Sequence, residues 1–157
     1  MARFMRKGTT KVYFVPTIAS LSAATAVEVG AGTALHTQLA EINGFSFANS
    51  SIDTPDMANT LVTKISGEDT LENSSMGFYE AKSGTDTIKT ALTKGTAGYV
   101  VIFYRGIAGA TPAAGDKYEV WSVEVASNSR KYSVGNEAAT FMVAFTPTAA
   151  PVEGTLA

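Results

Sequence analysis

The chain has 157 residues, 45% apolar and 17% charged, with a net charge of −2, no cysteine and one tryptophan. A single domain of this length buries roughly 70% of its unfolded surface without covalent staples, and near-neutral charge excludes a global field aimed at an acidic or basic partner. The composition favours β structure over a helix bundle. No apolar run is long enough for a signal-peptide core or a membrane span, which predicts a soluble protein made and used in a cytosol.

Local charge is less even. Arg3, Arg6, Lys7 and Lys11 give the first seventeen residues +4 with no acid. From Asp53 to Glu80 six acids (Asp53, Asp56, Glu68, Asp69, Glu72 and Glu80) face Lys64 alone, a balance of −5. A basic arm and an acidic middle are complementary, although a cationic terminus is equally a solvated, frayed end or a nucleic-acid contact.

In chain order, residues 1–10 read as an arm and Lys11–Val15 as a first strand that Pro16 ends or places at an edge. Thr25–Val29 reads as a weaker strand, followed by a turn at Gly30-Ala31-Gly32. Thr33 to Asn43 reads as a short helix with Leu35, Leu39 and Ile42 on one face and Gly44 past its end. A strand begins at Phe45–Phe47, Asn49–Asn59 is an exposed loop around Pro55, and Leu61–Ile65 is a strand turned by Ser66–Asp69. Met76–Glu80 is a short strand.

The most structured stretch comes next. Ile88, Ala91 and Leu92 form an apolar stripe on a helix capped at Ser83 or Thr85 and stopped at Gly95. Gly98–Arg105 follows as a strand apolar on both sides, hence buried on both. Ala108–Gly115 is a loop. In the strand Lys117–Ala126 the alternation slips: Tyr118 and Val120 point one way, Trp121, Val123 and Val125 the other, as at a bulge or under cover on both faces. Ser127–Asn136 is a polar connection, Ala139–Thr146 the last strand, and residues 147–157 a tail without periodicity. Phe45, Phe47, Phe78, Phe103, Phe141 and Phe145 stand at strand spacings that make them core.

Chemistry is sparse. His36 is the single histidine, there is no HExxH or GxSxG, and the GxG at Gly30 lacks its third glycine and a βαβ setting. Asp53 and Asp56 lack a calcium-loop pattern or a second carboxylate-rich strand. The two Asn-Ser-Ser sequons, at Asn49 and Asn73, carry no weight without a secretion route. No catalytic residue, metal or cofactor is assigned.

Three ordered features carry a resemblance. Arg6-Lys7-Gly8-Thr9-Thr10-Lys11-Val12-Tyr13-Phe14-Val15-Pro16 leads to Gly30-Ala31-Gly32-Thr33. Glu41-Ile42-Asn43-Gly44-Phe45 precedes the acidic Ile52-Asp53-Thr54-Pro55-Asp56. One helix-strand unit is followed by Trp121-Ser122-Val123-Glu124-Val125 and Phe141–Phe145. Over nearly its whole length the chain resembles the major tail tube proteins of long, non-contractile-tailed bacteriophages, notably those infecting actinobacteria.

The resemblance implies a mainly β fold, an antiparallel sandwich or partial barrel with one flanking helix and an arm at each end. It implies hexameric rings stacked into a hollow virion tail through which the genome leaves, assembled in the host cytoplasm. Tape measure, tail terminator and distal tail proteins are its implied partners. Arg3, Arg6, Lys7, Lys11, Phe47, Asp53 and Asp56 are then expected at subunit contacts, with the arm on the acidic loop of the adjacent ring. The bore is expected to be neutral or acidic, since a basic lining would hold phosphates. A capsid decoration protein and a secretion-system tube protein are the rival readings.

Overall fold

The computed structural model describes residues 1–157 and contains ten strands and two five-residue helices. In order these are β1 (Lys11–Val15), α1 (Ala26–Gly30), β2 (Thr33–Ala34), β3 (Leu39–Asn43), β4 (Phe47–Thr54), β5 (Thr63–Leu71) and β6 (Ser74–Tyr79). Then come α2 (Thr87–Ala91), β7 (Ala97–Phe103), β8 (Lys117–Lys131), β9 (Thr140–Pro147) and β10 (Val152–Thr155). Every pairing is antiparallel.

The main sheet runs β2-β1-β7-β8-β9-β6-β3, with β10 also on β8. Its first and last strands, β2 and β3, are separated by only four residues of chain. That link is bonded on both sides: Leu35 N–H donates to Val12 O on β1, and Tyr79 N–H on β6 donates to Gln38 O. The sheet therefore curls round as a partial barrel. Its interior holds Val12, Phe14, Leu35, Phe78, Val100, Trp121, Val123, Phe141 and Phe145, and Ile88 of α2 and Leu92 at its C-cap join the same core.

The alternation slip in β8 is explained by cover on both faces. Trp121, Val123 and Val125 point into the barrel, while Tyr118 and Val120 point outward into a second core with Tyr13, Val15, Val101 and Phe103. Ile18, Ala24 and Val29 of the 16–32 segment and Leu156 of the tail lid this second core. The Tyr118 hydroxyl fixes the lid, donating to Leu21 O at 2.6 Å and accepting from Ala24 N–H at 2.8 Å. Asp116, buried, accepts from Ala108 and Ala113 N–H at 3.1 and 3.0 Å.

Several expectations are corrected. Thr25–Val29 is no strand: Thr25 and Glu28 form a reciprocal capping box, which nucleates α1. Thr33–Asn43 is no helix but β2, a bonded link and β3; Leu35 is buried and Ile42 is 42% exposed, so one helical face was not what their spacing encoded. Phe45 precedes β4 as a turn residue with φ of 54°. The Asn49–Asn59 loop is strand as far as Thr54, and Ser66–Asp69 lies inside β5. β8 extends through the supposed connection to Lys131, because β9 pairs with it to that point.

The C-terminal tail is a strand, not a free extension: β10 pairs with β8 from Val152↔Val120 to Thr155↔Lys117. The expected helix shortens to Thr87–Ala91, with Asp86 as its N-cap rather than Ser83 or Thr85. Phe47 is 48% exposed and outside the core.

Candidate assembly surfaces

β4 and β5 pair only with each other. An isolated two-stranded hairpin is marginal in water, so a long one projecting from a domain calls for a partner. Its root is held firmly. Gly44 and Phe45 both adopt positive φ, 78° and 54°, and this bend turns the chain out of the barrel. Phe45 N–H donates to the buried Ser74 Oγ at 2.8 Å, and the Phe45 ring packs edge-on against Trp121 at 5.6 Å between centroids. A left-handed phenylalanine costs on the order of 1–3 kcal/mol, offset here by the ring's packing on Trp121 and Phe145 and by the serine bond.

The register divides the shaft into two faces. Ile52 stands opposite Ile65 and Thr54 opposite Thr63, while Asp53 faces Lys64 and Asn49 faces Asp69 on the other side. Ile52 and Ile65 remain 51% and 55% exposed, an apolar cross-strand pair without cover. Asp53 and Lys64 form an ion pair, and Asn49 Nδ2 donates to Asp69 Oδ1 at 2.5 Å. The tip, residues 55–62, carries the exposed Met57, Leu61 and Val62, and Asp56 there accepts the N–H of Ala58 at 2.8 Å.

The arm lies beside this root. Arg6 O accepts from Thr9 and Thr10 N–H, and Arg6 Nη1 donates to Tyr104 O at 3.4 Å. This turn borders a cleft of about 1000 Å³, whose other walls include Gly44, Phe45, His36 and Glu119. Residues 1–5, Arg3 among them, are exposed, Lys7 lines the cleft, and Lys11 is already in β1, opposite Phe103. Burial pushes the Glu119 carboxyl up; the Trp121 Nε1–H bond pulls it down, Glu153 directly across the β8–β10 pair raises it and Arg6 lowers it. His36 Nδ1 lies 3.2 Å from Val12 O, and its ring tilts against Tyr13. No three His, Asp or Glu side chains gather as a metal site, and no helix is long and apolar enough to cross a membrane.

A third surface is the outer face of the distal half of the sheet. Opposite the barrel core, β8, β9, β6 and β3 present Ser127, Ser129, Thr140, Ala144, Ser75 and Asn43 together with Met142 and the half-exposed Tyr79, and Glu41 and Lys131 are its charges. The second core does not reach it. On the barrel side of the same strands Arg130 is ion-paired with Glu80, and Asn128 Nδ2 donates to Lys89 O and Leu92 O at the end of α2.

Three surfaces result: an amphipathic hairpin, a basic arm at its root, and a bare, mostly polar sheet. The structure gathers Phe47, Asp53 and Asp56 on the hairpin and Arg6 and Lys7 at the cleft. Sequence reading missed the Ile52–Ile65 pair, whose signal was the spacing of two isoleucines across a turn.

The family model of the phage tail tube protein matches residues 1–157, the whole chain. The chain belongs to this tail tube family. Its fold is also similar to solved structures of injection machines at low identity. One is the sheath/tube terminator of the PVC extracellular contractile injection system, at TM-score 0.65 and 10% identity, covering 97% of each chain. A second is the cap that terminates the anti-feeding prophage tube, at 0.62 and 12%, covering 99% of this chain and 93% of that one. A third is from the PVC sheath-tube complex, at 0.59 and 11%, covering 94% and 88%. At such identities the likeness establishes fold alone. No curated protein matches the sequence.

Proposed function

We propose that this tail tube protein polymerises as hexameric rings stacked into the phage tail, a conduit for genome ejection, and that it is structural rather than enzymatic. The observation that carries the reading is a family match over the whole chain in a molecule that projects a 25-residue hairpin with an uncovered apolar face. Ring closure and head-to-tail stacking are heterologous contacts, which let identical subunits build an open-ended filament.

In this reading the β4–β5 hairpin, with Phe47, Asp53 and Asp56, reaches the adjacent ring. The bare face of distal β8, β9, β6 and β3 lines the bore, where Ser, Thr and Ala offer phosphates little hold and the one cation, Lys131, is matched by Glu41. Arg3, Arg6, Lys7 and Lys11 lie at the same end as the hairpin root, so in this reading the arm meets the acidic hairpin of a neighbour around the ring, in place of the adjacent-ring contact expected from the sequence. Partners are further copies, a length-setting tape measure, a terminator and distal tail proteins; the tube is built in the host cytoplasm and ends in the virion.

Two of the structures similar in fold are tube-end proteins, and the second reading is a ring that caps a tube instead of extending it. Negative-stain electron microscopy over a concentration range separates the two. Hollow tubes support the repeating subunit; isolated rings that bind preformed tails and stop their growth support the cap. Compact particles that never join a tail would overturn both.

A further inference from the structure

We infer that the tip of the β4–β5 hairpin seats on the β8–β9 turn of the copy stacked upon it, an inference that rests on the tail tube reading above. The β8–β9 turn, residues 132–139, lies beyond the Lys131↔Thr140 pair. The hairpin leaves beyond the Asn43↔Ser75 pair, at the other end of the same strands. β6 measures the separation: Ser74 opposes Phe145 near the hairpin, and Tyr79 opposes Thr140 near the turn. At about 3.3 Å per residue the hairpin root and the base of the turn sit roughly 17 Å apart along the strand direction, at opposite ends. Head-to-tail stacking brings opposite ends of successive copies together.

The two ends match chemically. The hairpin tip exposes Met57 fully and Leu61 by 70%, and the turn exposes Tyr132 by 87% and Val134 fully. Residues 47–71 carry four acids against Lys64, whereas residues 80–89 and 130–138 toward the turn end carry four cations against three acids. Each copy holds one surface of each kind. A contact between unlike surfaces leaves one of each free at the ends of any stack, so it propagates; a contact between like surfaces would stop at a pair. Complementary charge also orients the encounter before the apolar groups meet.

The cysteine-free chain makes the contact directly testable. Met57→Cys and Val134→Cys in one chain, assembled into tubes and oxidised, should give a ladder of covalent multimers on a denaturing gel. Each single variant should give none beyond a dimer. Met57→Cys with Val27→Cys, at an exposed position on α1, is the control and should give no ladder. Tubes without a 57–134 ladder, or an equal ladder from the control pair, overturn the contact and leave the tube reading intact. No tube from the unaltered chain, even on tail-tip complexes, overturns both. As a second arm, Lys131→Glu should raise the concentration needed for tube growth about tenfold, and adding Asp56→Lys should recover most of it. Equal behaviour of the single and double charge variants also counts against the contact.

Discussion

Tyr118→Phe tests how the outer lid is held on the sheet. The ring is fully buried and packs against Phe103 at 6.2 Å, and phenylalanine keeps that packing. What is lost is one hydroxyl with two bonds to the 16–32 segment: its donation to Leu21 O at 2.6 Å and its acceptance from Ala24 N–H at 2.8 Å. Ala24 is 0% exposed, so its N–H is stranded away from water. Two bonds at about 1 kcal/mol each, with one buried donor left unpaired, give a loss of about 2–3 kcal/mol. For a domain of this size that lowers Tm by roughly 6 °C. With a urea m-value near 2 kcal/mol/M the midpoint falls by about 1 M. The assay is urea denaturation below the assembly concentration, because polymer formation adds stability of its own. A loss under about 0.5 kcal/mol, the range of an ordinary surface substitution, would refute the reasoning.

Other outcomes follow from single contacts. Gly98→Ala would place a Cβ 2.5 Å from Phe14 Cζ and 3.1 Å from Val15 O, and should destabilise by about 1–3 kcal/mol; Gly109→Ala, whose nearest neighbour is 3.9 Å away, should stay within about 0.5 kcal/mol. Glu119 has a folded pKa above its ordinary 4.5, so between those values the folded state binds more protons and stability falls as pH rises through that window. Glu119→Gln, which can still accept from Trp121, should flatten this decline, as read from unfolding midpoints at pH 4 to 7. An unchanged slope would show that another carboxyl is responsible.

The strands that sequence alone made legible share one property: their partners cover them. β1, β6, β7, the first half of β8 and β9 carry apolar residues because the barrel and its lid bury them. Misread segments are those where a local signal served another end. Ser66-Gly67-Glu68-Asp69 has turn chemistry, but the fold uses it as a bulge: β5 takes three residues from Ser66 to Asp69 where β4 takes two, from Ser51 to Asn49. Asn128 and Arg130 look like connection because they are polar, yet one caps α2 and the other pairs with Glu80. β10 lacks periodicity because a four-residue edge strand needs only backbone bonds to its neighbour. As for the candidate assembly surfaces, the opposite charges of arm and hairpin were visible in the chain. That both lie at one end of the barrel was not, since it depends on Gly44 and Phe45 turning the hairpin out beside the arm.

β8 has a mechanical consequence. Its 15 residues span about 50 Å and carry β7 on one side, β10 and then β9 on the other. Tension between the two ends of a subunit would run along this strand and load those hydrogen bonds in shear, many at once, because they lie across the strands. Pulled from one edge of the sheet, the same bonds would break singly, in succession. A subunit strung on β8 is therefore stiff along the strand and weak across it, and a tube made of such subunits would resist stretching better than splitting.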